Sequence, residues 1–149
     1  MRSLLLLLTL LLPGLAFTQE KEEKAAQPVP EPNVFITEHE GRFGGETVRY
    51  TATAGETLLK NEEGEPIGAI WSVAYTRDGV ADPTARPVTF IFNGGPGSAS
   101  VWLHLGFFGP RLVQVPSDAD ADDGAAPFTL IDNPYGLLDR TDLVFIDPV

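Results

Sequence analysis

The chain has 149 residues, no cysteine and a formal net charge of −11. The length allows one modest domain, and the lack of cysteine excludes disulfides and thiolate zinc sites. The acidic balance disfavours a nucleic-acid partner, because phosphate binding requires a basic surface.

Residues 1–18 have the layout of a secretory signal peptide. Arg2 gives a positive start, residues 4–12 are leucine apart from Thr9, and Pro13-Gly14 and Ala16 follow. The apolar run is about half the ~20 residues that a membrane-spanning helix needs. The sequence therefore predicts a secreted or periplasmic protein with no stable membrane anchor after cleavage, the alternative being an uncleaved anchor.

Residues 19–33 are predicted to be a linker. A charged cluster at residues 20–24 is followed by Pro28, Pro30 and Pro32. Such a stretch buries too little apolar surface to fold, and its prolines favour an extended path. The folded domain is therefore predicted to span residues 34–149.

The first part of this domain is typical of β-structure. Residues 48–54 are rich in β-branched and aromatic types, which predicts a strand. A second strand is indicated by residues that alternate with period two: Ile67, Ala69, Trp71, Val73 and Tyr75. The turn around Gly64 is expected to join these strands as an antiparallel pair, and residues 77–87 are expected to form another turn region.

Two short apolar runs, residues 88–92 and 143–146, predict strands buried on both faces of a parallel sheet. A short helix is predicted around Ser98–Phe108, ended by Gly109-Pro110. The expected fold class is α/β, with an antiparallel strand pair leading into parallel strands. Because the chain holds few helices to cover such a sheet, we expect an incomplete domain whose C-terminal part is missing after Val149.

The segment Asn93-Gly94-Gly95-Pro96-Gly97-Ser98 directly follows the first apolar strand. Ligands bind at the carboxyl ends of strands in open α/β sheets, and glycines let backbone N–H groups approach a ligand closely. Preorganised N–H groups stabilise an oxyanion. A phosphate loop is disfavoured because no lysine follows, and a dinucleotide loop because Ser100 replaces its last glycine. A purely structural turn stays open.

This segment resembles the NGGPG signature of the serine carboxypeptidases, peptidase family S10, which have the α/β-hydrolase fold. Three further segments are similar to the family in the same order: residues 105–110, residues 133–135 (Asn-Pro-Tyr) and residues 142–149. The resemblance covers residues 47–149. It implies the N-terminal part of an α/β-hydrolase sheet in a secreted serine-type carboxypeptidase, which needs no cofactor or metal.

The resemblance also implies roles for residues. Asn93 and the N–H of Gly94 are expected to bind the free C-terminal carboxylate of a peptide substrate. The N–H of Gly95 is expected to form part of the oxyanion hole. Asn93 stands where the related imino-peptidases have histidine, which favours a carboxypeptidase. Ser98 and Phe107 stand where many family members have cysteine and glutamate, so we expect the carboxylate contacts to differ in part.

A nucleophile is absent from this sequence, because no G-x-S-x-G elbow occurs in it. The chain itself is therefore expected to be inactive, with nucleophile, base and acid lying elsewhere in the full protein. Ser98 is interpreted as a helix N-cap. His39 is interpreted as a surface or turn residue and His104 as packing near the helix, because the triad histidine of this fold comes late in the chain.

The acidic run at residues 118–124 is similar to a calcium loop, but it lacks the glycine at position six and the glutamate at position twelve. A solvated acidic loop is the preferred interpretation. Two alternative functions stay open. One is an esterase or acyltransferase that uses the same loop, and the other is a non-catalytic secreted binding module.

Overall fold

The structure is a computed structural model that describes residues 31–95, 97–115 and 126–147. The predicted signal peptide, most of the predicted linker and the acidic run at residues 118–124 lie outside the described residues. The chain forms a five-stranded sheet and a separate two-stranded sheet. The strands are β1 (Val34–Phe43), β2 (Glu46–Lys60), β3 (Pro66–Arg77), β4 (Val88–Phe92), β5 (Arg111–Val113), β6 (Leu130–Asp132) and β7 (Asp142–Asp147).

Strands β1, β2 and β3 form an antiparallel meander. The predicted pairing of the second and third of these strands is confirmed, with Gly64 in the connecting turn at φ +83°. The sequence did not predict β1, which is an edge strand exposed along most of its length. Because solvent lies beside it, its residues 38–42 are largely charged and show no apolar alternation to recognise.

The order of the large sheet is β1-β2-β3-β7-β4, with β7 antiparallel to β3 and parallel to β4. The fold is therefore a mixed sheet, mostly antiparallel with one parallel pair, and the described residues form few helices. Strand β3 pairs with β7 only over Trp71–Tyr75. The first part of β3 pairs with β2 alone and extends as a two-stranded ribbon. The face that carries Ile67 and Ala69 is therefore not uniformly buried.

The prediction that residues 88–92 are buried on both faces is wrong for the described chain. Ile91 is buried, but the side chains of Val88, Phe90 and Phe92 are 49%, 61% and 62% exposed. Strand β4 lies at the edge of the sheet, and the described residues cover only one of its faces. The neighbouring strand β7 has Leu143 and Phe145 in the core and is otherwise half-buried.

The core lies on one face of the large sheet. It is formed by Phe43, Val48, Tyr50, Ile91, Leu138, Leu143 and Phe145. The predicted helix is confirmed in its second part, as the α-helical turn α1 (Val101–Leu103) continued by a π-helical turn (His104–Phe108). Leu103 and Phe108 pack against the core, whereas Val101 is exposed.

In the part of the chain that is described, no helix has the length and apolar character required to cross a bilayer.

Gly109 ends the helical segment, as predicted. Its N–H donates a hydrogen bond of 2.9 Å to the carbonyl oxygen of His104. A Cβ atom at this position would clash with that same oxygen. Because the backbones approach so closely, only glycine fits here.

A buried ion pair fixes the start of β7. The carboxylate of Asp142 accepts hydrogen bonds from Nε of Arg86 at 2.6 Å and from the backbone N–H of Arg77 at 3.0 Å. The side chains of Arg86 and Asp142 are only 9% and 15% exposed. Arg86 also donates to the carbonyl oxygen of Leu138. The pair thereby ties the start of β7 to the end of β3 and to the segment that leads into β4.

Candidate functional site

The glycine loop begins at the carboxyl end of β4. Because β4 and β7 run parallel with Phe92 opposite Ile146, Asn93 and Asp147 come at the same edge of the sheet. Ligands bind at such edges in open α/β sheets. The sequence-based expectation that the loop lies at the end of a parallel strand is confirmed.

The loop exposes its backbone. Gly95 and Gly97 have φ values of +79° and +77°, which favour glycine. The N–H of Ser98 donates a 3.3 Å hydrogen bond to the carbonyl oxygen of Gly95, which closes a turn. Gly94 and Gly95 are exposed, and among the described residues neither N–H has a hydrogen-bond acceptor.

The side chain of Asn93 closes the loop from within. Its Nδ2 donates a 2.8 Å hydrogen bond to the carbonyl oxygen of Ala99. A primary amide carries two N–H donors, so one donor remains beyond this contact. Asn93 thus shapes the loop, a structural role that the sequence did not reveal.

Ser100 anchors the other end of the loop. Its backbone N–H and its Oγ donate to the same oxygen, Oδ1 of Asp147, at 2.6 and 2.7 Å. Ser100 is 3% exposed. The interpretation of Ser98 as the N-cap is wrong, because Ser100 is the residue that precedes α1. Sequence reasoning missed the contact with Asp147, and the only signal for it was an acidic residue at the end of a core strand.

His104 is half-buried against Tyr75 of β3 and Phe145 of β7 and does not lie in the loop. Its Nε2 lies 2.7 Å from the hydroxyl oxygen of Tyr75, and its ring stacks on Phe145 with centroids 4.3 Å apart. Burial lowers the pKa of His104, although the charge of Asp147 acts in the opposite direction. Burial, with a smaller effect of Tyr50, raises the pKa of Tyr75 to about 12. The hydrogen bond therefore joins a neutral phenol to a neutral imidazole at pH 7.

His39 was predicted to be a surface or turn residue, and it lies on the surface. It belongs to strand β1, not to a turn, and its Nε2 lies 2.8 Å from Oγ1 of Thr37. Its ring stacks on Tyr50 with centroids 5.3 Å apart. It takes no part in the loop.

We expect the stability of the protein to fall as the pH drops below about 6.5, the ordinary pKa of histidine. The pKa of His104 is lower in the folded state than in the unfolded chain, so the unfolded state takes up the proton first. The resulting stability is complete above the unfolded pKa and is lost as the pH falls through the folded pKa. Urea midpoints between pH 8 and pH 4.5 test this for wild type and for His104→Gln.

The His104→Gln variant should lose this part of the pH dependence, whereas His39→Gln, at an exposed position, should retain it. Identical pH profiles for wild type and His104→Gln would contradict the assignment.

Asn133, in the Asn-Pro-Tyr motif, has a structural role. It is fully buried, and its Nδ2 donates to the carbonyl oxygens of Phe107 and Gly109 at 2.9 and 2.8 Å. Its Oδ1 accepts from the N–H of Tyr135 at 3.0 Å. The side chain therefore joins the end of the π-helical turn to the segment before β7, and its polar atoms are all used in doing so.

An apolar groove of about 280 Å³ lies beside the helical segment that follows the loop. Its lining consists of Val101, Trp102, Leu105, Gly106, Val113, Val115 and Phe128. Trp102 is 78% exposed. The groove suits an apolar side chain better than a charged one.

The described residues contain no group of histidine and acidic side chains that could hold a metal ion. No protein-family model matches this chain, and no curated protein matches it either.

Proposed function

We propose that this chain is the N-terminal part of a secreted serine carboxypeptidase with an α/β-hydrolase fold, which releases C-terminal residues from peptides. One observation carries the proposal. A glycine loop at the carboxyl end of a parallel strand leaves the N–H groups of Gly94 and Gly95 without acceptors among the described residues, beside the amide of Asn93. The sequence of the loop adds the resemblance to serine carboxypeptidases.

The loop would serve two parts of a peptide substrate. The free N–H of Asn93 and the N–H of Gly94 would donate to the C-terminal carboxylate, and hydrogen bonds to a charged group contribute about 1.5–3 kcal/mol each. The N–H of Gly95 would donate to the oxyanion that develops when the scissile carbonyl is attacked. Together these donors would place the last peptide bond of the substrate over the loop.

The nucleophile is assigned to residues outside this sequence, because the sequence holds no G-x-S-x-G elbow. The attacking serine, its histidine base and the acid that orients it would come from a later part of the domain. The exposed apolar residues Val88, Phe90 and Phe92 support this assignment, because an edge strand of this kind suits a further strand and a covering layer.

The test is to express the protein from its complete reading frame and to measure release of the C-terminal residue from peptides. Peptides with a free carboxylate should be cleaved, and the same peptides with a C-terminal amide should be poor substrates. Activity on esters with none on peptides would support an esterase or acyltransferase instead. No hydrolysis of either class would support a binding module.

We expect Asn93→Asp to lower kcat/KM for peptides with a free C-terminus by roughly 10–100-fold, the loss of about one charge-assisted hydrogen bond plus repulsion. The substituted carboxylate would face the carboxylate of the substrate. Ester substrates without that group should lose less, because for them the variant removes only the hydrogen bond from Asn93 to the carbonyl oxygen of Ala99. The measurement is kcat/KM for a matched peptide and ester pair.

Asn61→Asp is the matched control, because Asn61 lies in the exposed turn between β2 and β3. It should leave both substrates unaffected. An equal loss on peptide and ester in Asn93→Asp would remove Asn93 from carboxylate recognition.

A further inference from the structure

The carboxylate of Asp147 is the contact that joins the glycine loop to the strand beside it. Its Oδ1 accepts both donors of Ser100, at 2.6 Å from the backbone N–H and 2.7 Å from Oγ. Hydrogen bonds to an ionised acceptor are about twice as strong as those between neutral groups. Because Ser100 is nearly inaccessible to solvent, its two donors depend on this carboxylate in the structure.

Among the described residues, few other contacts restrain the loop. A Cβ atom added at Gly94 or Gly97 would meet nothing within 4 Å, and one at Gly95 would meet only Oγ of Ser98 at 3.7 Å. Glycine also has the largest backbone freedom to lose on ordering. The position of the loop therefore depends on its two ends. Asn93 follows β4 directly at one end, and Ser100 is held by Asp147 at the other.

The anchoring of Ser100 extends to the helical segment. The carbonyl oxygen of Ser100 accepts a 2.8 Å hydrogen bond from the N–H of His104, and Ala99, one residue earlier, accepts the side chain of Asn93. A shift of Ser100 would therefore move the acceptor that orients Asn93. It would also disturb the contact of the Ser98 N–H with the carbonyl oxygen of Gly95, and with it the direction of the adjacent N–H groups of Gly94 and Gly95.

We propose that Asp147 is a positioning residue for the oxyanion loop: by holding Ser100 at the end of β7, it fixes the direction of the Gly94 and Gly95 N–H groups. The effect of Asp147 on catalysis rests on the proposed function. The anchoring of the loop by Asp147 does not depend on that proposal. Asp147 would act through the loop without touching the substrate.

The test compares Asp147→Ala, Asp147→Asn and Ser100→Ala in the protein expressed from its complete reading frame. With active sites titrated, Asp147→Ala should lower kcat by about 10–100-fold, somewhat less than the loss of a whole oxyanion donor. The loss should be similar for peptides and for esters, because both need the oxyanion donor. Asp147→Asn, which keeps a neutral acceptor, should recover most of the rate. Ser100→Ala keeps the backbone contact and should lose less than Asp147→Ala.

The second readout is hydrogen–deuterium exchange of the segment 93–104, followed by mass spectrometry. Asp147→Ala should speed exchange of this segment, whereas Asp132→Ala, which removes an exposed carboxylate from a 3.5 Å ion pair with Arg111, should not. Unchanged exchange in Asp147→Ala overturns the inference whether or not the enzyme is active. An active wild type whose kcat is unaffected by Asp147→Ala also overturns it. Absence of activity in wild type with faster exchange in Asp147→Ala would reject the proposed function and leave the anchoring role of Asp147 supported.

Discussion

Replacing Asp142 by alanine is expected to lower the free energy of unfolding by about 3–5 kcal/mol, the usual cost of removing one partner of a buried ion pair. The guanidinium of Arg86 would lose the acceptor that lies 2.6 Å from its Nε and would stay almost inaccessible to water. The backbone N–H of Arg77 would lose its acceptor as well. Urea unfolding followed by circular dichroism measures the change, with the slope of the transition checked for constancy.

Asp132→Ala is the matched control for this prediction. Asp132 pairs with Arg111 at 3.5 Å, but both side chains are largely exposed, and such pairs contribute at most about 1 kcal/mol. The double variant Arg86→Met with Asp142→Leu should recover much of the loss, because it leaves no unpaired buried charge. A loss no greater in Asp142→Ala than in Asp132→Ala would show that the buried pair does not fix β7.

Gly95→Ala is expected to lower kcat/KM of the complete protein by about 10²–10³-fold, the cost of losing one oxyanion donor. Gly95 has a φ of +79°, a conformation that disfavours any residue with a Cβ atom. There is room for the methyl group, since the nearest atom among the described residues, Oγ of Ser98, would lie 3.7 Å away. The backbone is therefore expected to relax away from this φ, which turns the N–H of residue 95 away from the oxyanion.

Gly64→Ala is the control that separates the loss of the oxyanion donor from the backbone strain that any Cβ atom causes at a positive φ. Gly64 has a similar φ of +83°, lies in the turn between β2 and β3, and has open space where a Cβ would be. Both variants should lose stability by about 1–2 kcal/mol, but only Gly95→Ala should lose activity. Equal kcat/KM values for the two variants would exclude Gly95 from the oxyanion hole.

The sequence by itself determined the local elements of this protein. β-Branched and aromatic residues predicted the strand at residues 48–54, and the period-two alternation of residues 67–75 predicted a second strand. The turn around Gly64 predicted that the two strands pair antiparallel. The glycine loop was also readable, because positive φ values at Gly95 and Gly97 require the residue type that stands there. These features depend on the conformational preferences of residues that are close in the chain, and those preferences follow directly from the residue types.

Only the tertiary structure decided which distant elements meet. Strand β7 lies between β3 and β4, although it follows β4 by about fifty residues in the chain. That placement brings Asp147 to Ser100, which is 47 positions earlier, and Tyr75 to His104, which is 29 positions later. It also leaves β4 at an edge, so an apolar run that predicted burial on both faces has one face exposed. A sequence pattern indicates how apolar a segment is. The elements that cover the segment depend on the strand order, which local conformational preferences do not specify.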